Sequence, residues 1–226
     1  MSIDAIKNNV GQAAAALVEP GMVVGLGTGS TAAYFVKHLI ERCRKGLKVH
    51  AIASSQAIAA QAAQGGIPLL DPHQVSSLDL TVDGADEIDT LKQMIKGAGG
   101  ALVREKILAG MSREMIVIVD ESKLVSQLGK AKLPVEVIPF GHLATQCHIQ
   151  KLGWKATLRT DREKKPFVTD NGNYLYDIHF DHPRSHPEKD HETLISLPGV
   201  VDTGFFFHLA GRVIIGFFDG QIVVRP

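Results

Sequence analysis

The sequence lacks the features that mark disulfide-rich, zinc-binding, nucleic-acid-binding and membrane proteins. Its two cysteines, Cys43 and Cys147, form no CxxC pair, which argues against a disulfide framework or zinc knuckle and predicts reduced residues of the core. Lysine plus arginine and aspartate plus glutamate number 24 each, so there is no excess of cations for binding nucleic acid. No apolar run approaches the roughly 20 residues that span a bilayer, and the acid-containing N-terminus does not read as a signal peptide. We expect a cytoplasmic protein that binds neither nucleic acid nor membrane.

What is present is an ordinary globular composition, with 226 residues that are 45% hydrophobic and 21% charged, enough for one or two domains. Short apolar runs without period-2 alternation are separated by segments of helical spacing, which is typical of a parallel sheet covered by helices. The expected strands are 22–26, 49–54, 67–70, 78–82 and 115–119. The expected helices are 3–17, 32–44, 56–64 and 101–109.

The pattern changes after residue 131. Strand-like runs surround Asn171-Gly172, and Asn-Gly between two such runs is the strongest short signal for a hairpin. The strands expected here are 155–160, 167–169 and 174–179, with short helices at 141–152 and 188–196. A last hairpin, 212–218 with 221–224, is expected to return to the first sheet. We therefore predict an α/β domain at 1–131 and 205–226 and a small α+β domain at 132–204.

The first motif is a glycine-rich turn, Gly25-Leu-Gly-Thr-Gly-Ser-Thr31, between a strand and a helix. Glycines let the backbone approach an anion, and N–H groups at the start of a helix point toward it. Neither the dinucleotide fingerprint nor the P-loop pattern is matched, so a phosphate monoester is favoured over a nucleotide. The alternative is a tight turn with a serine cap.

The second motif places four acids in seven residues, 83–89, directly after an apolar strand. Ligands of open α/β sheets bind beyond the carboxyl ends of strands, and paired carboxylates there can divide acid and base roles. The EF-hand spacing is absent. A solvated acidic turn remains the alternative.

The third motif is Lys96-Gly-Ala-Gly-Gly100, in which an ammonium beside free backbone N–H groups could stabilise an oxyanion. Glu105, in the helix that follows, is by itself best interpreted as a solvated helix charge. Lys123, in Asp-Glu-Ser-Lys after another strand, is a further cation near a strand end. By itself this last signal is weak.

Together these motifs resemble type A ribose-5-phosphate isomerases. The matching stretches occur in family order across nearly the whole chain: 25–32, 82–88, 94–107, 120–123, 132–140 and 168–179. The resemblance implies a Rossmann-like open, mostly parallel sheet with helices on both faces, plus a smaller α+β domain involved in oligomerisation. It also implies a homodimer or homotetramer that needs no cofactor and no metal.

Carried over residue by residue, the resemblance makes Glu105 the proton-abstracting base, with Asp83, Asp86 and Lys96 as further catalytic residues. The substrate-binding residues it implies are Thr28, Gly29, Ser30, Thr31, Asp83, Gly84, Ala85, Asp86, Lys96, Gly97, Ala98, Gly99, Lys123 and Lys7. Two positions depart from the family: Ala98 replaces a frequent glycine, where a methyl group would crowd the backbone beside the substrate, and Gln56 replaces a small polar residue.

The implied reaction interconverts D-ribose 5-phosphate and D-ribulose 5-phosphate in the pentose phosphate pathway, through ring opening and an enediol or enediolate. Two alternatives of other classes remain: a non-catalytic sugar-phosphate sensor, and a relative of the CoA-transferases or sugar-phosphate deaminases. Four histidines lie among aspartates in the second domain, but their irregular spacing favours a solvated loop over a metal site. They are His179, His182, His186 and His191.

Overall fold

A computed structural model describes residues 1–226 and divides them into two compact units. The first unit comprises residues 1–85, 104–124 and 209–226, and the second comprises 86–103 and 125–208. The segment 86–103 thus lies in the second unit, whereas the boundaries predicted from the sequence placed it in the first.

The chain forms thirteen strands and six α-helices. The strands are β1 (Val23–Leu26), β2 (His50–Ala53), β3 (Leu80–Asp83), β4 (Glu87–Ile88), β5 (Met94–Ile95), β6 (Met115–Asp120), β7 (Leu133–Val137), β8 (Lys155–Leu158), β9 (Tyr174–His179), β10 (Val200–Thr203), β11 (Phe205–Phe206), β12 (Ala210–Gly216) and β13 (Ile222–Arg225). The helices are α1 (Ile3–Ala16), α2 (Ser30–Arg44), α3 (Gln56–Gln64), α4 (Leu102–Met111), α5 (His142–Lys151) and α6 (Pro187–Ile195). No helix combines the length and the apolar composition that crossing a membrane requires.

The first unit is built on a six-stranded sheet of order β13-β12-β6-β3-β1-β2. All neighbouring strands are parallel except β12 and β13, which form the expected C-terminal hairpin. Every residue of β3 and β6 is buried, because strands inside a parallel sheet are covered on both faces. The carboxyl ends of β1, β3 and β6 therefore open at one edge of the sheet, where the glycine-rich turn, Asp83 and Lys123 follow them.

The second unit contains an antiparallel four-stranded sheet, β10-β7-β9-β8, and a three-stranded sheet, β11-β5-β4. Its core packs apolar side chains of β7 and β9 with residues such as Ile149 and Leu194 of α5 and α6. The predicted fold class, a mostly parallel α/β sheet with a separate small α+β part, is confirmed.

Two predicted strands do not form. The segment 67–70 makes only one bridge, Leu69 to Ala51, and 167–169 makes only one, Val168 to Tyr174. Pro68 lacks the N–H group that a ladder needs, which accounts for the interruption at 67–70. The prediction that both cysteines are core residues was also wrong: Cys43 is half-buried and Cys147 is exposed on α5, although both are free thiols.

Candidate active site

The glycine-rich turn opens directly onto the start of α2. Gly27 donates its N–H to the carbonyl of Val82 at 2.9 Å, which ties the end of β1 to the end of β3. Gly29 precedes α2 with φ of 125°, in the left-handed region that favours glycine, and no side chain caps the helix. The alternative of a serine cap is therefore wrong. The uncapped N–H groups and the positive end of the helix dipole suit an anion.

Two further groups reach this turn from elsewhere in the first unit. The ammonium of Lys7 donates to Oγ of Ser30 at 2.9 Å, so α1 brings a cation to the start of α2. The hydroxyl of Thr28 lies 2.6 Å from that of Ser54 and donates to that of Ser55 at 2.8 Å. Thr28 is thus held by the end of β2.

Ser54 and Ser55 are site residues that the sequence analysis did not select. Ser54 also donates its hydroxyl to the carbonyl of Leu26 at 3.0 Å, and the hydroxyl oxygen of Ser55 accepts the N–H of Ile58 to cap α3. The signal was available, because the predicted strand 49–54 ends on Ser54 and Ser55 follows it, at the same kind of strand end as the glycine-rich turn, the acidic segment and Lys123.

Asp83 ends β3 and its side chain is completely buried. Its Oδ1 accepts the N–H of Gly84 at 2.7 Å. A β-carbon added to Gly27 would lie 2.1 Å from Cγ of Asp83, so the glycine-rich turn and this carboxyl group are in direct contact. The structure therefore brings Thr28–Thr31, Lys7 and Asp83–Ala85 together within the first unit.

Glu105 lies in the first turn of α4 and is only 2% exposed. The interpretation of Glu105 as a solvated helix charge was wrong. Two hydrogen bonds fix the end of α4 to β3 and to the residues that precede β3. Leu78 donates its N–H to the carbonyl of Met111 at 2.9 Å, and the hydroxyl of Thr81 donates to the carbonyl of Leu108 at 3.3 Å. These bonds set which face of α4 turns inward.

Lys123 closes a short 3-10 turn, Glu121–Lys123, after β6. Oδ1 of Asp120 accepts the N–H of Ser122 at 3.0 Å and also its hydroxyl. Lys123 is half-buried and makes no hydrogen bond or ion pair with the protein. Its ammonium is therefore available to an anionic ligand.

The second unit holds Asp86 and the Lys96–Gly99 segment together. Asp86 accepts the N–H of Ala98 on Oδ2 at 2.9 Å. Lys96 is 2% exposed, and its ammonium lies 5.4 Å from the centre of the Phe206 ring, a cation–π arrangement. Ala98 is exposed and its φ is not positive.

Three ionisable side chains of the predicted site, those of Asp83, Lys96 and Glu105, are thus 2% exposed or less. Burial of a charged group costs free energy unless it is compensated, and such groups are concentrated where proteins perform chemistry. Carboxyl groups such as those of Asp83 and Glu105 suit proton transfer, and an ammonium such as that of Lys96 suits stabilisation of an oxyanion. The structure contains no group of three or more His, Cys, Asp or Glu side chains that could hold a metal ion.

Residues 50–220 match the family model of ribose 5-phosphate isomerase A, also called phosphoriboisomerase A. The chain belongs to the ribose-5-phosphate isomerase A family. A family member from Protochlamydia amoebophila is 50% identical over 206 residues, which cover 90% of this chain and 88% of that protein. One from Oceanobacillus iheyensis is 47% identical over 94% of this chain and 95% of its own length.

Solved structures of ribose 5-phosphate isomerases agree with this assignment. That of Methanocaldococcus jannaschii superposes with a TM-score of 0.92 at 37% identity and covers 99% of both chains. A D-ribose-5-phosphate isomerase in complex with phospho-erythronic acid has a TM-score of 0.93 at 36% identity and covers 100% of both chains. The resemblance on which the sequence analysis relied is confirmed.

Proposed function

We propose that this chain is an aldose–ketose isomerase that interconverts D-ribose 5-phosphate and D-ribulose 5-phosphate. The observation that carries the proposal is the burial of Glu105, Asp83 and Lys96, at 2% exposure or less, in a member of the ribose-5-phosphate isomerase A family. A pure binding protein has no need of a buried proton acceptor. This favours the enzyme over the sugar-phosphate sensor.

The phosphate group is assigned to the start of α2. There the uncapped N–H groups, the hydroxyl of Ser30 and the ammonium of Lys7 provide hydrogen-bond donors and positive charge. Lys123, which has no partner in the protein, adds a second cation. Binding of a phosphorylated sugar acid by a relative supports a sugar-phosphate ligand. A phosphate held away from the reacting carbons supplies binding energy for positioning them.

Asp83 and Asp86 are assigned to ring opening. One carboxylate accepts the proton of the C1 hydroxyl while the other, in its acid form, donates a proton to the ring oxygen as the C1–O bond breaks. The two have different surroundings, since Asp83 is completely buried and Asp86 is half-buried. Different environments are what separates the roles of paired carboxyl groups.

Glu105 is assigned to the isomerisation itself. Its carboxylate removes the proton from C2 of the open aldose, and the electrons of that bond form the C1–C2 double bond of an enediolate. The ammonium of Lys96 and the backbone N–H groups of its segment stabilise the oxygen that becomes negative. Glu105 returns the proton to C1, the proton of the C2 hydroxyl passes to the negative oxygen on C1, and the C2–O bond becomes the carbonyl of ribulose 5-phosphate.

The test is conversion of ribose 5-phosphate by purified protein in EDTA, with Glu105→Gln beside the wild type. We expect turnover that EDTA does not affect and a loss of at least about 100-fold in Glu105→Gln, the range that a general base contributes. Glu192→Gln is the matched control, since Glu192 is exposed on α6 and its side chain makes no hydrogen bond. Binding of ribose 5-phosphate without turnover by the wild type would instead establish the sensor.

We further infer that copies of the chain associate through the second unit. Phe140 is 93% exposed, Leu143 63% and Ile138 47%, an unusual concentration of exposed apolar side chains within six residues of sequence. Light scattering should give a dimer or tetramer for the wild type and a smaller species for Phe140→Asp. A monomeric wild type would contradict this. The cytoplasmic location remains a prediction.

A further inference from the structure

The segment that follows β5, residues 96–100, contains two glycines with positive φ. Gly97 and Gly100 adopt φ of 106° and 84°, conformations that side-chain-bearing residues rarely adopt. The N–H of Gly100 closes a turn on the carbonyl of Gly97 at 3.0 Å. Lys96, which carries the ammonium assigned to the oxyanion, begins this segment and donates its own N–H to the carbonyl of Gly204 at 2.9 Å.

One side chain from a distant part of the second unit holds this turn. Arg159 follows β8, and its Nη1 donates to the carbonyl oxygens of both Gly97 and Ala98, at 3.0 and 3.1 Å. Ala98 is therefore held on both sides, with its N–H on Asp86 and its carbonyl on Arg159. The exposed Gly99 follows with an N–H that donates to no group of the protein.

Arg159 is in turn held rigidly. Its Nε and Nη2 donate to the two carboxylate oxygens of Asp177 on β9, at 3.1 and 2.5 Å. The two side chains are only 15% and 11% exposed, and the guanidinium lies 6.0 Å from the centre of the Phe167 ring. Two nitrogens of the guanidinium bind the carboxylate, and the third binds the two carbonyl oxygens. Among side chains, only the planar guanidinium of arginine can make this arrangement.

We propose that Arg159, oriented by Asp177, is a positioning residue that sets the conformation of the Lys96–Gly99 segment for the isomerisation. It acts through the backbone, because its guanidinium bonds carbonyl oxygens of the segment. A cation on a carbonyl oxygen also polarises the peptide unit to which it belongs, and the peptide joining Ala98 to Gly99 carries the free N–H. That N–H becomes a better donor to a developing oxyanion. This role rests on the proposed function, since the reaction provides its readout.

The test compares Arg159→Lys with Arg184→Lys. Arg184 forms an equivalent two-nitrogen pair with Asp190 in the same unit, at 2.6 and 3.0 Å, but it bonds no carbonyl of residues 96–99. For Arg159→Lys we expect kcat to fall about 100-fold, the effect of a displacement near 1 Å at a reacting centre, with KM for ribose 5-phosphate changed less than about threefold. Arg184→Lys should keep the wild-type kcat.

A rescue experiment separates positioning from general stability. In Arg159→Ala, added guanidinium ion should restore kcat at least about tenfold, and methylammonium at the same concentration should not, because it lacks the fork. Asp177→Asn is the second variant. It should lower kcat less than Arg159→Lys does. If the arginine variants do not fold, the proposal can still be tested with Asp177→Asn. Equal kcat in Arg159→Lys and the wild type, or equal losses in Arg159→Lys and Arg184→Lys, would overturn the proposal.

Amide hydrogen exchange at residues 97–100 provides a readout that does not need turnover. Exchange there should be faster in Arg159→Lys than in the wild type and unchanged in Arg184→Lys. If the wild type did not isomerise ribose 5-phosphate, this difference would still support the positioning of the segment while the proposed function failed. Unchanged exchange in Arg159→Lys would overturn the positioning itself.

Discussion

The carboxyl group of Asp83 occupies the space where any residue other than glycine at position 27 would place its β-carbon. A β-carbon built there would lie 2.1 Å from Cγ and 2.2 Å from Oδ1 of Asp83. Because Asp83 is completely buried at the end of β3, its side chain has little room to retreat. Position 27 therefore has to be glycine, because the carboxyl group of Asp83, which is assigned to ring opening, fills the space beside it.

We expect Gly27→Ala to displace Asp83 and to lower both stability and turnover. Overpacking of this kind costs about 1–3 kcal/mol in the free energy of unfolding, and displacement of a reacting group costs about 100-fold in kcat. Urea unfolding and the isomerase assay measure the two effects. Gly110→Ala is the control, since a β-carbon there meets nothing within 4 Å and alanine in a helix is favoured over glycine by about 1 kcal/mol. A Gly27→Ala enzyme with wild-type kcat would contradict the assignment of Asp83.

The parts of the fold predicted well from the sequence are those with long periodic patterns. The helix at 56–64 and the strand at 174–179 have the predicted bounds, and the C-terminal hairpin returns to the first sheet as expected. Strands β4, β5 and β11 were missed, since each has two residues and is defined only by pairing between distant segments. No local pattern marks such a strand.

In the site, too, the features that depend on local sequence could be predicted, and those that depend on tertiary packing could not. Glycine turns and acids after strands are local signals, so Thr28–Thr31 and Asp83–Asp86 could be selected. The burial of Glu105 could not be, because Arg104 and Lys106 flank it and tertiary packing decides which side of α4 turns inward. Arg159 is 61 residues from Ala98 in sequence. Its contact exists only because β8 and β9 are folded.

Substitution of Lys7 should weaken substrate binding more than catalysis. The ammonium of Lys7 lies 2.9 Å from Oγ of Ser30, and a hydrogen bond to a charged group contributes about 1.5–3 kcal/mol. For Lys7→Met we expect KM for ribose 5-phosphate to rise at least about tenfold while kcat changes little. Lys37→Met, exposed on α2, is the control and should match the wild type. A change confined to kcat would place Lys7 away from the phosphate.

The two cysteines should differ in reactivity toward a thiol reagent. Burial raises the pKa of the Cys43 thiol, against the smaller opposing effect of Arg42 and Lys48, so less of it is thiolate near pH 8. Cys147 is exposed on α5. We expect one fast and one slow phase in the reaction with a chromogenic disulfide, with the fast phase absent in Cys147→Ser. Raising the pH should accelerate the slow phase, because it increases the thiolate fraction of Cys43.

Removal of the charge of Asp83 should impair ring opening more than proton transfer between carbons. Asp83→Asn keeps an oxygen that can accept the N–H of Gly84, a bond of 2.7 Å in the wild type, so the fold should survive, but the amide cannot exchange a proton with the sugar. We expect turnover of ribose 5-phosphate to fall about 100-fold or more, the contribution of a general acid or base. A four-carbon aldose 4-phosphate has no free hydroxyl with which to close a five-membered ring, so its turnover relative to the wild type should fall much less. Asp89→Asn, in the turn whose N–H donors include Leu91 and Gln93, is the control for loss of a nearby carboxylate. Equal losses on the cyclic and the acyclic substrate would show that Asp83 acts after ring opening, in the same step as Glu105.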